Sequence, residues 1–210
     1  MKKIPKLIST LIMMSMLLVG CGSQVDMSFQ KTSQTLKTTS VRTGKDDDTK
    51  ILVVYYSSTG TTKSVAEEIA KSTEADLLEL KPLNPYEGDD LNYNDKNSRI
   101  YKEYNNKDLR DVELEYNTVD DWDSYDTVFI GYPIWWGNAS WVVNNFVQLN
   151  NFEEKTVIPF CTSASSGISD SEKFLKSQNA TGNWKEGKRF TAGTSSDDVN
   201  NWIKKLEIGK

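Results

Sequence analysis

The apolar run Ile51-Leu52-Val53-Val54-Tyr55-Tyr56 passes without a break into Ser57-Ser58-Thr59-Gly60-Thr61-Thr62, and that junction constrains the fold most. A continuous apolar, β-rich run suits a strand covered on both faces, as in the centre of a parallel sheet. Beyond the turn, Val65, Ala66, Ile69 and Ala70 recur at helical spacing, with Glu67, Glu68 and Lys71 opposite. The segment therefore reads as strand, turn and helix. The turn sets hydroxyls and unpaired backbone N–H groups at the positive end of that helix, which suits a phosphate group. An ordinary Ser/Thr N-cap turn is the alternative reading of the same composition. No Gly-Lys-Ser/Thr follows Gly60, and Lys63 lies inside the helix, so a nucleoside triphosphatase loop is disfavoured and a monophosphate preferred.

The same rhythm returns three times. Residues 126–132 feed a helix near 140–149, residues 156–161 one near 170–177, and residues 189–193 one near 197–206, while residues 75–80 supply a fifth strand. Strands alternating with helices imply a doubly wound α/β fold: a five-stranded parallel sheet covered on both faces through right-handed crossovers. Residues 84–126 break the rhythm, with 13 acidic and 5 basic residues and Tyr86, Tyr93, Tyr101, Tyr104 and Tyr116 among them. They are too many for an ordinary connection. Residues 99–104 suit a short helix. Two readings stand: a solvated excursion pinned by a few Tyr, or a docking surface or rim over the site.

Composition narrows the chemistry. The 210 residues include no His and 2 Cys, which excludes Ser-His-Asp and Cys-His catalysis, His-bound zinc, a disulfide framework and a thiolate metal cage. A bound organic cofactor is the natural source of chemistry, with no metal. Cys161, at the end of a strand, reads as a small buried residue.

At the N-terminus, Lys2, Lys3 and Lys6 precede a short apolar run ending in Leu18-Val19-Gly20-Cys21. Residues 1–20 have the layout of a secretory signal, and their apolar stretch from Leu7 to Val19 is too short for a comfortable membrane span of about 20 residues. The ending resembles the lipobox of bacterial lipoproteins, which makes Cys21 the lipidated first residue of the mature chain. An uncleaved signal anchor is the alternative. Residues 21–49 then form a lipidated Cys and a polar linker, whose root-mean-square span is on the order of 30 Å, and residues 50–210 form the folded domain. Removing the three signal Lys leaves 22 basic and 30 acidic residues, a net charge of 22 − 30 = −8. Such a body argues against nucleic acid as a partner.

Two more loops leave strands where open α/β sheets bind ligands, beyond the carboxyl ends. Gly131-Tyr132-Pro133-Ile134-Trp135-Trp136-Gly137-Asn138 carries two adjacent Trp, costly to expose and suited to a flat ring system. Core capping is the other reading. Cys161-Thr162-Ser163-Ala164-Ser165-Ser166-Gly167 is rich in small residues, which let backbone N–H groups approach a ring edge.

Taken together, residues 53–62 with Ala66 and Ile69 fit the N-terminal signature of the flavodoxin family, and the chain from about Lys50 onward resembles that family throughout. The resemblance implies strand order 2-1-3-4-5 and FMN as cofactor. It places the FMN phosphate on Ser57, Ser58, Thr59, Gly60, Thr61 and Thr62, with Thr59, Thr61 and Thr62 as hydroxyl donors. It sets Pro133, Trp135, Trp136 and Gly137 beside the isoalloxazine, with Trp135 or Trp136 against one face. In flavodoxins a peptide of this loop turns over on reduction so that its carbonyl accepts the flavin N5–H, a role that falls here to the Trp136–Gly137 peptide. Thr162, Ser163 and Gly167 match the loop at the pyrimidine end. That loop departs from the family in lacking an aromatic residue, which leaves the second flavin face open to a substrate or partner, or covered by a Tyr of residues 84–126.

The first functional reading is an FMN-dependent electron-transfer protein, lipid-anchored outside the cytoplasmic membrane and serving a redox partner protein or a small electron acceptor. Its negative charge steers basic partners and lowers the flavin potentials. An FMN-dependent reductase taking electrons from NAD(P)H to quinones is the rival, and a lipoprotein module that has lost flavin is a third class. No second dinucleotide fingerprint supports the reductase.

Overall fold

Residues 35–36, 50–179 and 181–208 are described in the computed structural model. The elements in chain order are β1 (Thr35–Leu36), β2 (Ile51–Tyr55), α1 (Thr61–Thr73), β3 (Asp76–Glu79), α2 (Arg99–Asn105), β4 (Thr118–Val119), β5 (Thr127–Trp135), β6 (Asn138–Ala139), α3 (Asn144–Leu149), β7 (Thr156–Thr162), α4 (Ser169–Gln178), β8 (Asn183–Trp184), β9 (Lys188–Phe190) and α5 (Ser196–Leu206). The main sheet runs β3-β2-β5-β7, all parallel, with β8 and β9 both beside β7. Counting those two pieces as one interrupted edge strand, the order is the expected 2-1-3-4-5.

The interruption has a local cause. The carbonyls of Lys155 and Val157 face this edge and accept from the amides of Asn183 at 2.8 Å and Lys185 at 2.9 Å. The next residue in that alternation is Pro159, which has no N–H to offer. At the same level, a Cβ on Gly187 would stand 2.4 Å from the Pro159 carbonyl oxygen, so the chain passes only as glycine. The edge also ends earlier than the expected 189–193, because Thr191 to Thr194 close a turn.

Strand alternation sorts the core into two layers. Val53, Tyr55, Phe129, Ile158 and Phe160 face α1 and α5, where Val65, Ala66, Ile69, Val199 and Trp202 meet them. Leu52, Val54, Val128, Ile130 and Val157 face the other way, against Phe146 and Val147 of α3, Leu175 of α4 and Ile100 of α2. The sheet is thus covered on both sides.

Residues 84–126 belong to the second layer. Tyr86, Ile100, Val112, Leu114, Val119 and Tyr125 are all buried in that core, so the segment covers the sheet rather than projecting into solvent. The acidic side chains lie mostly on its outer side, which is why composition alone suggested solvation. β1 lies within the stretch read as a linker and pairs parallel with β4, Thr35 opposite Thr118 and Leu36 opposite Val119. The signal-like segment, Cys21 and the rest of the linker up to residue 49 fall outside the described residues. Among the described residues no helix is long and apolar enough to cross a membrane.

Candidate functional site

The three expected loops emerge side by side. Register pairs Tyr55 with Gly131 across β2 and β5, and Pro133 with Thr162 across β5 and β7, so residues 57–62, 133–138 and 162–167 leave one edge of the sheet together.

In the first loop, Gly60 caps α1 with φ 89° and ψ −17°, and its N–H donates to the Ser57 hydroxyl at 3.1 Å. The Ser64 amide is the first to bond back, to the Gly60 carbonyl at 3.0 Å. The amides of Thr61, Thr62 and Lys63 are left without a helical acceptor, and no acidic side chain occupies the first turn. Three free amides at a helix start fit an anionic group. Ser58, Thr59 and Thr61 keep accessible surface, whereas Thr62 is buried with its hydroxyl 2.7 Å from that of Thr162. That pair ties the first loop to the third. Thr59, Gly60 and Thr61 also line a cavity of ≈ 430 Å³ beside Thr191, Gly193 and Thr194.

The second loop differs from its sequence reading. β5 continues through Trp135 and reverses into β6 through a two-residue hairpin turn, Trp135 pairing with Asn138. Trp136 and Gly137 have φ of 46° and 78°, the paired left-handed conformations that fit the twist of such a turn. Glycine suits the second position; Trp136 adopts the first at some strain, held by tertiary packing. Because β5 still alternates here, Trp135 points into the core, 1% exposed, among Tyr56, Tyr86 and Trp141. Of the two Trp, Trp136 alone keeps accessible ring surface. Its carbonyl accepts from the Asn138 side chain at 3.0 Å. Pro133 is half-buried, and its carbonyl accepts from the Ser140 amide at 3.0 Å. The Ser140 hydroxyl is buried, and none of the described residues partners it.

The third loop is held from behind. Ser163 donates its amide to the Phe190 carbonyl at 3.2 Å and its hydroxyl to the Ser166 carbonyl. Arg189 donates to the Ser163 hydroxyl at 2.9 Å and to the Ala164 carbonyl at 3.0 Å. Gly167 is exposed, with open space around it. Cys161 is fully buried, and burial pushes its thiol up to about 12.

Sequence reasoning missed the residues that frame Trp136. Tyr104 stacks on it at 4.4 Å and 17°, Tyr93 tilts against it at 4.6 Å, and Tyr101 meets it edge-on at 6.4 Å. Only their concentration in residues 84–126 hinted at a rim. Burial pushes the Tyr93 phenol up to about 12. Arg189 and Asn138 carried no signal, being single polar residues at strand ends.

The flavodoxin family model matches residues 50–206. The chain belongs to the flavodoxin family. Its domain is similar to the crystal structure of a protein assigned as a flavoprotein from Bacteroides eggerthii, with 37% identity over 76% of this chain and 98% of that one and a TM-score of 0.68. A second such protein, from Bacteroides uniformis, has 37% identity over 74% and 98% of the two chains, also at 0.68. A flavoprotein crystallised in complex with FMN, from Lactobacillus acidophilus, shares the fold at 21% identity and a TM-score of 0.52, covering 74% of this chain and 99% of its own. No curated protein matches the chain.

Proposed function

We propose that this flavodoxin domain binds FMN and carries electrons between redox partners while tethered through Cys21 to the outer face of the cytoplasmic membrane. The observation that carries the cofactor is the start of α1: amides of Thr61, Thr62 and Lys63 with no helical acceptor, beside accessible hydroxyls of Ser58, Thr59 and Thr61. Amides and hydroxyls together suit a phosphate monoester. The FMN-bound relative from Lactobacillus acidophilus supports the same assignment.

When bound, FMN supplies one- and two-electron chemistry. The chain supplies position and field. Ser57 holds the loop by accepting from Gly60, and the Thr62–Thr162 contact locks the phosphate loop to the third loop. In this reading Trp136 is the aromatic surface for an isoalloxazine, Gly137 completes the turn beside it, Pro133 leads into that hairpin, Thr162, Ser163 and Gly167 lie on the neighbouring loop, and Trp135 meets Trp141, the ring parallel to Trp136, in the core. Arg189 braces Ser163 so that the third loop keeps its shape as a ligand enters. Residues 84–126 extend this border with an acidic surface suited to basic partners.

Titrating the purified domain with FMN and following visible absorbance and flavin fluorescence tests the cofactor. Saturable quenching is expected; a colourless chain that leaves free FMN fluorescence unchanged rejects it. Turnover of NADPH with a quinone would transfer the protein to the reductases, and its absence supports a carrier. For the tether, Cys21→Ser should move the protein from the membrane fraction to the soluble fraction and abolish the mass added by a diacylglyceryl group.

A further inference from the structure

Beneath the mouth of the site, α2 carries a carboxylate that composition does not single out. Glu103 is 4% exposed. Its carboxylate accepts from Arg99 Nε at 2.7 Å, from the Tyr86 hydroxyl at 2.7 Å and from Trp141 Nε1 at 2.6 Å. Arg99 also donates to the Asn84 carbonyl at 2.7 Å and lies 3.8 Å from the Tyr86 ring centroid. On the far side, Arg110 donates to the Glu103 carbonyl at 2.8 Å and the Tyr104 carbonyl at 2.5 Å, with its guanidinium 4.9 Å from the Trp141 ring centroid. Burial lowers the Arg110 pKa.

These contacts converge on Trp136. The two rings nearly parallel to it are Tyr104, at 17° and 4.4 Å, and Trp141, at 9° and 6.5 Å. Glu103 bonds Trp141 directly, and its own backbone precedes Tyr104, which Arg110 clamps. A buried ion pair contributes little net stability once desolvation is counted. Three donors on one carboxylate, Arg99 from its own helix and Tyr86 and Trp141 from distant segments, do fix its position, and with it the rings they carry.

We infer that Glu103 is a positioning residue: through Trp141 and Tyr104 it sets the plane in which Trp136 meets the flavin. This rests on the FMN reading above. Glu103→Gln keeps an oxygen acceptor and the volume, Glu103→Leu removes the acceptor, and benzothienylalanine in place of Trp141 keeps the bicyclic ring and removes only the Nε1 donor. The wild type and Trp136→Phe together define the near-ultraviolet circular dichroism band of Trp136 in the cofactor-free chain. Glu103→Leu and the Trp141 benzothienylalanine variant should lose that band and weaken FMN binding about tenfold, whereas Glu103→Gln keeps the band and stays within about threefold of wild type. Variants that melt earlier yet keep the Trp136 band and FMN affinity overturn the inference. If Glu103→Leu does not fold, the Trp141 benzothienylalanine variant decides by the same two readouts. A wild type that binds no FMN sinks the cofactor reading alone, and the band in the cofactor-free variants then confirms or refutes the positioning.

Discussion

The turn at residues 57–62 and the aromatic wall around Trp136 sit at one edge of one sheet and are built in opposite ways. Residues 57–62 make their site from the chain's own backbone: a left-handed Gly60, the first turn of α1 and hydroxyls within a few positions. Trp136 depends on Tyr93, Tyr104 and Trp141, with Tyr93 and Tyr104 more than thirty positions away in the sequence. A site formed by local hydrogen-bond donors tolerates change elsewhere in the fold. One formed by stacked rings inherits every packing defect beneath it.

The hardest test of that contrast is Ile100→Ala, which strikes the wall's foundation. Ile100 is 0% exposed, so the variant should lose about 2–5 kcal/mol in urea unfolding. A loss under about 0.5 kcal/mol, typical of surface positions, would return residues 84–126 to solvent. Next in size is Gly60→Val. At φ 89° a branched side chain strains the backbone by about 1–3 kcal/mol. FMN affinity should collapse by calorimetry while the aromatic near-ultraviolet signal stays intact; loss of both together would deny the independence of the two regions.

A smaller effect is expected at the seam between loops. Thr62→Val leaves the buried Thr162 hydroxyl without its partner and should cost about 1–3 kcal/mol of stability, with a severalfold loss of FMN affinity. Unchanged stability would mean that the contact is not a tie.

The least expected effect concerns pH and asks whether the floor of the third loop is sealed like the Trp135 core. Cys161 has a pKa raised from 9.0 to about 12, chiefly by burial. The unfolded chain ionises first, so this contribution is complete below about pH 9 and is lost as pH rises toward 12. Burial raises Tyr132 and Tyr56 in the same direction. Urea midpoints should therefore fall above pH 9, less steeply at the start in Cys161→Ala. Rapid alkylation of native Cys161 near neutral pH would show an open floor instead.

Much of this was readable beforehand because it is local or periodic. Val53, Tyr55 and Leu52, Val54 alternate along one strand, Val65, Ala66 and Ile69 repeat along one helix, and Gly60 among hydroxyls marks the turn between. Trp135 and Trp136 were indistinguishable on paper, since a side chain's face depends on where a strand stops. β5 runs on to residue 135, and its alternation sends one ring inward. Residues 84–126 were opaque for another reason: their charges are real but lie on the outside of a layer whose inner side, with Ile100 and Val112, is core.

Sequence alone determined the parallel α/β frame and the strand, turn and helix around residues 57–62, because hydrophobic period and helix-start chemistry act over a few residues. Tertiary structure decided which Trp is buried and which stays accessible, what Glu103 joins and why the edge strand breaks beside Pro159. Those outcomes depend on contacts between segments distant in the chain, and no short-range pattern encodes which distant side chain will arrive.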